Sequence, residues 1–187
     1  NKIPADVDAV IGGGHFADGQ QFAKAIYDKG LKVKFIALLV APPEPKFPEI
    51  GEAAFGVVGP SQWEPLAAFM PDFGPTGEEF IAAYKAAYNE EPSYHSAGGY
   101  VAGLILQKAI ETAGSLDTQA IKAALDSMDM ITFFGHIKFD TSAENHGLQI
   151  GHSMVYIQWQ KDASGNFVKQ VVWPAEVKTA EPVYPIR

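Results

Sequence analysis

The sequence Phe-Phe-Gly-His-Ile-Lys-Phe-Asp at residues 133–140 carries the clearest fold signal in this chain. Its apolar residues recur with a period of two up to the aspartate, and Asn-His-Gly follows at residues 145–147. A second apolar run, Met-Val-Tyr-Ile-Gln-Trp, occupies residues 154–159. Period-two spacing bounded by turn residues is typical of β-strands. This region is therefore predicted to form strands joined by a turn, as in an α/β or α+β fold.

Composition limits the class of protein. Of the 187 residues, 47% are hydrophobic and 19% are charged, which suits a globular chain of one or two small domains. No apolar run approaches the roughly 18 residues of a membrane span, and the first residues lack the apolar stretch of a signal peptide. The net charge of -8 and the absence of a basic cluster predict that nucleic acid is not a partner. The chain has no cysteine, which leaves the cellular compartment open.

The first forty residues predict a strand, a helix and a second, parallel strand. The apolar run at residues 7–11 ends at three glycines, residues 12–14, as expected for a buried strand followed by a loop. Asp18 is the predicted helix cap and Gly30 the predicted stop. The next strand, residues 34–40, follows closely, which indicates a right-handed βαβ unit.

The rest of the chain alternates loops, helices and strands. A proline-rich loop at residues 41–48 precedes a short predicted strand at residues 54–58, and Gly59-Pro60 marks an inter-lobe crossing. Three helices follow, the first beginning with a Thr76 and Glu79 capping box. The second covers about residues 94–113, and the third is capped by Asp117. Two strands near residues 154–159 and 167–173 are predicted to form a hairpin.

Motifs of catalysis and of cofactor binding are missing. Residues 12–14 have neither the G-x-G-x-x-G spacing nor a nearby Gly-Lys-Ser/Thr, the five histidines have no metal-ligand spacing, and no serine lies in a G-x-S-x-G context. We therefore predict a protein that is not an enzyme and has no cofactor and no metal. The loop after the first strand has two interpretations. It either binds a ligand, with His15 and Phe16 facing it, or is a tight turn whose side chains only pack.

The order of these elements resembles the downstream part of the type I periplasmic solute-binding proteins of the Leu/Ile/Val-binding family. These proteins are the receptors of branched-chain and related ABC importers. The resemblance is carried by residues 7–20, 30–32, 93–114 and 133–140, of which the last segment is the most specific.

The resemblance implies an α/β fold of two Rossmann-like lobes with hinge crossings, present as the C-terminal portion only. Residues 1–59 are then a second-lobe segment, residues 60–150 a first-lobe segment, and residues 151–187 the C-terminal strands of the second lobe. The N-terminal portion of the receptor would be a partner. Alternatively, a dimer or a swapped assembly would cover the apolar faces of the first-lobe helices.

The same resemblance implies where a solute binds. Second-lobe contacts are expected from the loop after the first strand and from the end of the second strand, and first-lobe contacts from a helix start. Aromatic stacking is expected on Phe16 or Trp63. The expected ligand-binding residues are Gly14, His15, Phe16, Leu38, Leu39, Trp63, Tyr94 and His95.

The strand end bears on the ligand class. Amino-acid receptors of this family usually carry an acidic residue there to pair with the ammonium group, whereas this chain has Leu38, Leu39 and Val40. Burying an ammonium without a counter-charge is unfavourable. We therefore expect an aromatic or aliphatic carboxylate, held by His15, Tyr94 or His95. The alternative is that the acidic partner comes from the first lobe and the solute is like a branched-chain amino acid.

The implied function is that of a solute-binding subunit of an ABC importer. It would capture the solute in an inter-lobe cleft and deliver it to the membrane permease, which makes the permease a second partner. The implied location is the periplasm, or the cell exterior for a lipoprotein. The alternative is a ligand-sensing domain of a signalling or transcription regulator with the same fold. A signal peptide or a helix-turn-helix segment upstream would discriminate between the two.

Overall fold

A computed structural model describes residues 3–4, 6–66 and 69–186. The chain divides into two compact units, of which unit 1 contains the residues up to Ser61 and those from Met154 onward, and unit 2 is Gln62–Ser153. Among the described residues no helix is long and apolar enough to cross a membrane. In chain order the elements are β1 (Ala9–Gly12), α1 (Phe16–Asp28), β2 (Phe35–Leu38), a 3-10 helix (Phe47–Ala54), β3 (Val58–Ser61), α2 (Gly77–Tyr88), α3 (Tyr94–Ala113), α4 (Thr118–Asp126), β4 (Asp129–Thr132), β5 (Gly135–Lys138), β6 (Val155–Lys161) and β7 (Phe167–Trp173).

Unit 1 is built on a five-stranded sheet in the order β1-β2-β3-β6-β7. β1, β2 and β3 run parallel, and α1 connects the first two, so the predicted βαβ unit is confirmed. β6 pairs antiparallel with both β3 and β7, which confirms the predicted C-terminal hairpin. Side chains from the sheet, α1 and the 3-10 helix form one apolar core, with Ile26, Ile36, Phe47 and Ile157 almost fully buried.

The strand predicted at residues 54–58 was placed too early. The chain instead forms the 3-10 helix Phe47–Ala54, whose Phe47 and Ala54 are fully buried, and the strand runs over Val58–Ser61. β3 includes Pro60, although proline has no N–H to donate to a neighbouring strand. β2 and β3 are paired at Val58. Pro60 lies two residues beyond that pair, so its missing N–H does not interrupt the pairing with β2.

Unit 2 contains the three predicted helices, and the caps that were predicted for the first and third are present. At the start of α2, Glu79 Oε2 accepts the Thr76 N–H at 2.8 Å, and Thr76 Oγ1 accepts the Glu79 N–H at 3.2 Å. α3 begins after Ser93 and ends at Gly114, whose φ of 58° is left-handed. At the start of α4, Asp117 Oδ1 accepts the N–H groups of Gln119 and Ala120, both at 3.0 Å. These local hydrogen bonds explain why the helix boundaries were predictable.

The stretch at residues 133–140 forms one half of a two-stranded hairpin. β4 pairs antiparallel with β5, and Phe133 and Phe134 lie in the turn between them. The predicted strand therefore begins two residues later, at Gly135. The turn is held by Thr132 Oγ1, which accepts the Phe134 N–H at 3.2 Å and donates to the Gly135 carbonyl at 3.1 Å. Both phenylalanine rings are buried in the core of unit 2.

The β4–β5 hairpin carries an acid-sensitive ion-pair group. The Asp129 carboxylate lies 2.6 Å from both Lys138 Nζ and His136 Nε2. These hydrogen bonds, first from Lys138 and then from His136, lower the pKa of Asp129 below its ordinary value. A carboxyl group with a lower pKa in the folded state adds stability above its unfolded pKa of about 3.9 and loses that contribution as the pH falls through the folded pKa.

We expect Asp129→Asn to make unit 2 less sensitive to acid. Between about pH 6 and pH 3 the melting temperature of the variant should fall by less than that of the wild type, because the variant lacks this titration. The effect is small because the Asp129 side chain is 54% exposed. Thermal unfolding followed by circular dichroism measures it. Removing the larger cause with Lys138→Met should act in the same direction, and identical acid profiles for all three proteins would contradict the assignment.

Candidate functional site

A small pocket lies in unit 1 where β1 and β2 end. Its volume is about 130 Å³. Because β1 and β2 run parallel, their carboxyl ends meet at one edge of the sheet, which is where open α/β sheets bind ligands. The pocket is lined by Gly12, Gly13, Gly14, Asp18, Gly19, Phe22, Leu38 and Leu39.

Two of the lining glycines lie where a Cβ atom would press against a neighbouring side chain. A Cβ atom on Gly12 would lie 2.9 Å from Leu38 Cδ2 and 3.1 Å from Phe22 Cε1. A Cβ atom on Gly19 would lie only 2.4 Å from the Cβ of Ala41. All three distances are shorter than ordinary carbon contacts. The absence of side chains therefore lets α1 approach the end of β2 and brings Phe22 and Leu38 together as pocket walls.

The pocket is apolar except at Asp18. The Asp18 Oδ2 atom accepts the N–H of His15 at 3.0 Å. This corrects the predicted helix start, because His15 is the N-cap and Asp18 is the third residue of α1. An acidic side chain in the first turn also lies favourably in the field of the helix dipole. Asp18 is thus both part of the helix start and the charged side chain of the pocket.

The predicted second-lobe residues divide into two groups. Gly14, Leu38 and Leu39 line the pocket together. His15 and Phe16 are next to it in sequence but do not line it, since His15 is exposed and Phe16 packs against the core of unit 1. Their contact with a solute stays a prediction.

The remaining predicted residues lie in unit 2. Trp63 is 4% exposed, and its ring packs edge-on against Phe80 and Phe133, each with centroids 5.9 Å apart. It also borders a second cavity of about 260 Å³. Tyr94 and His95 form the first turn of α3, with their ring centroids 4.0 Å apart. The roles of these three residues in solute binding are still predictions.

Two pocket residues were missed as site residues by the sequence. Asp18 was predicted only as the helix cap, and Phe22 was not assigned to the site. Their spacing carried a usable signal, because Phe22 lies four residues after Asp18 and both are in α1. Positions four apart lie on the same face of a helix. Among the described residues no group of three or more His, Cys, Asp or Glu side chains is placed to hold a metal ion.

The chain is similar in sequence to one known family and to several curated proteins. A family described as periplasmic binding protein matches residues 3–165. The Leu/Ile/Val-binding protein homolog 7 of Brucella suis is 37% identical over 98 residues, which is 50% of this chain and 24% of that protein. The homologue of Brucella melitensis is 36% identical over the same length. The chain therefore aligns with about a quarter of the length of these relatives.

Solved structures match a larger part of the chain. A leucine-binding protein LivK from Thermotoga maritima has a TM-score of 0.69 at 26% identity, covering 87% of this chain and 43% of that one. A solute-binding protein of an ABC transporter from R. palustris, solved in complex with benzoate, has a TM-score of 0.59 at 17% identity. The match covers 94% of this chain and 44% of that one. The second likeness shows the fold alone.

These relatives are solute-binding proteins and not enzymes. The predicted α/β fold of the type I periplasmic binding proteins is confirmed, and this chain spans less than half the length of either solved structure. Since the family match covers residues 3–165 of 187, the chain belongs to the periplasmic binding protein family and is related to its Leu/Ile/Val-binding members.

Proposed function

We propose that this chain is part of the solute receptor of an ABC importer and that the unit 1 pocket contacts the solute. The observation that carries the proposal is the position of the pocket, at the carboxyl ends of two parallel strands in a member of a binding-protein family. We also propose that the loaded receptor delivers its solute to a membrane permease from the periplasm, as the family resemblance implies.

The proposed solute is a small aromatic or aliphatic carboxylic acid. Phe22, Leu38 and Leu39 offer an apolar wall, and the strand end supplies no charge. A carboxylate would be repelled by Asp18, so the proposed position of the solute carboxylate is outside this pocket. The benzoate-bound relative from R. palustris has this fold, which is compatible with an aromatic acid. The relative from Thermotoga maritima is a leucine-binding protein, so a branched-chain amino acid is the alternative ligand to be tested.

The pocket is large enough for only part of such a solute. Its volume of about 130 Å³ is below the roughly 300–1,000 Å³ of typical ligand sites. Further contacts must therefore come from groups that do not line it. Following the family resemblance, we propose His15, Phe16, Trp63, Tyr94 and His95 as candidates for those contacts.

Calorimetry on the complete natural polypeptide that carries this sequence tests the proposal. We expect benzoate-like acids to bind with a dissociation constant in the micromolar range or below. Leucine should bind more weakly, because the strand end has no acid for its ammonium and because Asp18 would repel the carboxylate that leucine carries on the same carbon as its ammonium. Tight leucine binding without binding of aromatic or aliphatic acids would overturn the proposed ligand class. No binding of either kind of solute would overturn the receptor function.

The same measurement on two glycine variants localises the site. Gly12→Ala should weaken binding about tenfold, because its Cβ atom would lie 2.9 Å from Leu38 and displace the pocket wall. Gly103→Ala is the matched control, because Gly103 lies in α3 of unit 2, lines neither cavity, and its Cβ atom would meet no neighbouring group of the described residues within 4 Å. Equal affinities for the two variants would place the solute elsewhere.

A further inference from the structure

We propose that Asp18 determines the specificity of the unit 1 pocket by accepting a hydrogen bond from the solute. The solute would carry a donor group, a hydroxyl or an ammonium, on the end of its apolar body that enters the pocket. This inference rests on the proposed function, because it assigns a chemical group to the solute of that same pocket.

The composition of the pocket wall makes Asp18 the discriminating group. The lining consists otherwise of glycines and of the hydrocarbon side chains of Phe22, Leu38 and Leu39. Such a wall distinguishes solutes by size and shape, but it gains little from a polar group on the solute. A carboxylate in an apolar wall discriminates more strongly. A solute that covers the carboxylate without donating a hydrogen bond to it removes water from the charge and therefore binds less tightly.

The Asp18 carboxylate is also held in place before any solute arrives. Its Oδ2 atom accepts the His15 N–H at 3.0 Å. On the side of the loop, a Cβ atom on Gly14 would lie 2.9 Å from the Cβ of Asp18, so the backbone of Gly14 packs closely on this side chain. A side chain fixed by a hydrogen bond and by packing loses little conformational freedom on binding.

One oxygen of this carboxylate is left for a solute. Among the described residues, Asp18 accepts its hydrogen bond through Oδ2, and Oδ1 has no hydrogen-bond partner. Asp18 is exposed overall and lines the pocket. A hydroxyl or an ammonium placed against the apolar wall can therefore donate to Oδ1, and a charged acceptor makes that bond stronger than a neutral one does.

The charge of Asp18 also orients the solute. A solute with a carboxylate at one end and a donor at the other would place the donor end in this pocket, because two carboxylates repel each other. This predicts hydroxylated or amino-substituted acids in preference to the unsubstituted acid of the same shape.

Three probes of one shape test the inference: benzoate, 4-hydroxybenzoate and 4-(aminomethyl)benzoate. They carry no donor, a hydroxyl and an ammonium at the same end of the ring. In calorimetry on the complete natural polypeptide, we expect at least one donor probe to bind about tenfold more tightly than benzoate. Tighter binding of 4-hydroxybenzoate would identify the donor as a hydroxyl, and tighter binding of 4-(aminomethyl)benzoate would identify it as an ammonium.

Asp18→Asn should reduce that preference to about twofold or less, because the amide has no charge to attract the donor. The Asn side-chain oxygen can still accept the His15 N–H, so the start of α1 is kept. If this variant unfolds, Asp18→Ser is the second choice, since serine also serves at helix starts. Asp117→Asn is the matched control, because Asp117 starts α4 in unit 2 and lines neither cavity described above.

The outcomes separate the two proposals. If benzoate binds the wild type as tightly as both donor probes, or if the preference survives in Asp18→Asn, the role of Asp18 is overturned while the receptor function stands. A preference lost equally in Asp117→Asn also overturns it. If none of the three acids binds the wild type, the proposed aromatic-acid solute fails, and the inference fails with it.

Discussion

Replacing Phe133 by alanine is expected to lower the free energy of unfolding of unit 2 by about 3–5 kcal/mol. Phe133 is 1% exposed, and its ring stacks on Phe80 with centroids 4.6 Å apart. Trp63 packs against the same ring edge-on at 5.9 Å. The substitution removes the ring on which both aromatics pack and leaves a cavity in the core. Urea unfolding, followed together with hydrogen exchange of amides in α2 and β5, measures the loss.

Tyr88→Ala is the matched control for this prediction. Tyr88 is the last residue of α2 and is 66% exposed, so its truncation should cost less than about 1 kcal/mol. Phe133→Leu should lie between the two, since it keeps most of the buried volume but not the ring contacts. If Phe133→Ala were no more costly than Tyr88→Ala, the aromatic cluster would not be the centre of the unit 2 core.

Helices were the part of this fold that the sequence predicted best, because their ends are set by neighbouring residues. The side chains of Thr76 and Glu79 each accept the backbone N–H of the other residue. Asp117 accepts two N–H groups in the first turn of its helix. No distant contact is needed to recognise either arrangement. The cap of α1 was misplaced by three residues, because the true N-cap is His15, a residue type that is rarely a cap.

The strand errors have a tertiary cause. Phe133 and Phe134 continue an apolar pattern that looks like a strand, but both rings turn into the core while their backbone forms the turn. β4, which pairs with β5, has only four residues and was not recognised as a separate strand. Short apolar runs do not reveal whether burial comes from sheet pairing or from packing of a turn.

Part of the pocket was predictable from the sequence. Gly14, Leu38 and Leu39 were expected as contacts from the family resemblance, and the βαβ pattern supports their proximity because parallel strands bring their carboxyl ends to one edge of the sheet. Asp18 and Phe22 were recognised only as helix residues. Helical periodicity tells which face of α1 points to the sheet, but whether that face packs fully or leaves a pocket depends on close contacts such as Gly19 with Ala41.

Replacing Gln158 by methionine is expected to destabilise unit 1 by about 3–5 kcal/mol. Gln158 lies in β6 and is 1% exposed. Its Nε2 donates to the carbonyls of Gly56 and Val183, at 3.0 and 3.1 Å, and its Oε1 accepts the Val183 N–H at 2.8 Å. Methionine has a similar length but makes none of these bonds, so three backbone groups lose their partner at a cost of about 1–3 kcal/mol each, with some regained from water.

Hydrogen exchange of the Val183 amide distinguishes local from global loss. In Gln158→Met that amide should lose its protection first, because the substituted side chain was its acceptor, and denaturant unfolding of unit 1 should shift with it. Gln160→Met is the matched control. Gln160 Nε2 donates to the Glu181 carbonyl at 2.8 Å and to Gln158 Oε1 at 2.9 Å from a partly exposed position, where water can replace it. Gln158 Oε1 keeps the Val183 N–H in this variant, so the loss should stay below about 1 kcal/mol. Equal losses for the two variants would mean that burial of the Gln158 amide does not hold the C-terminal segment on the sheet.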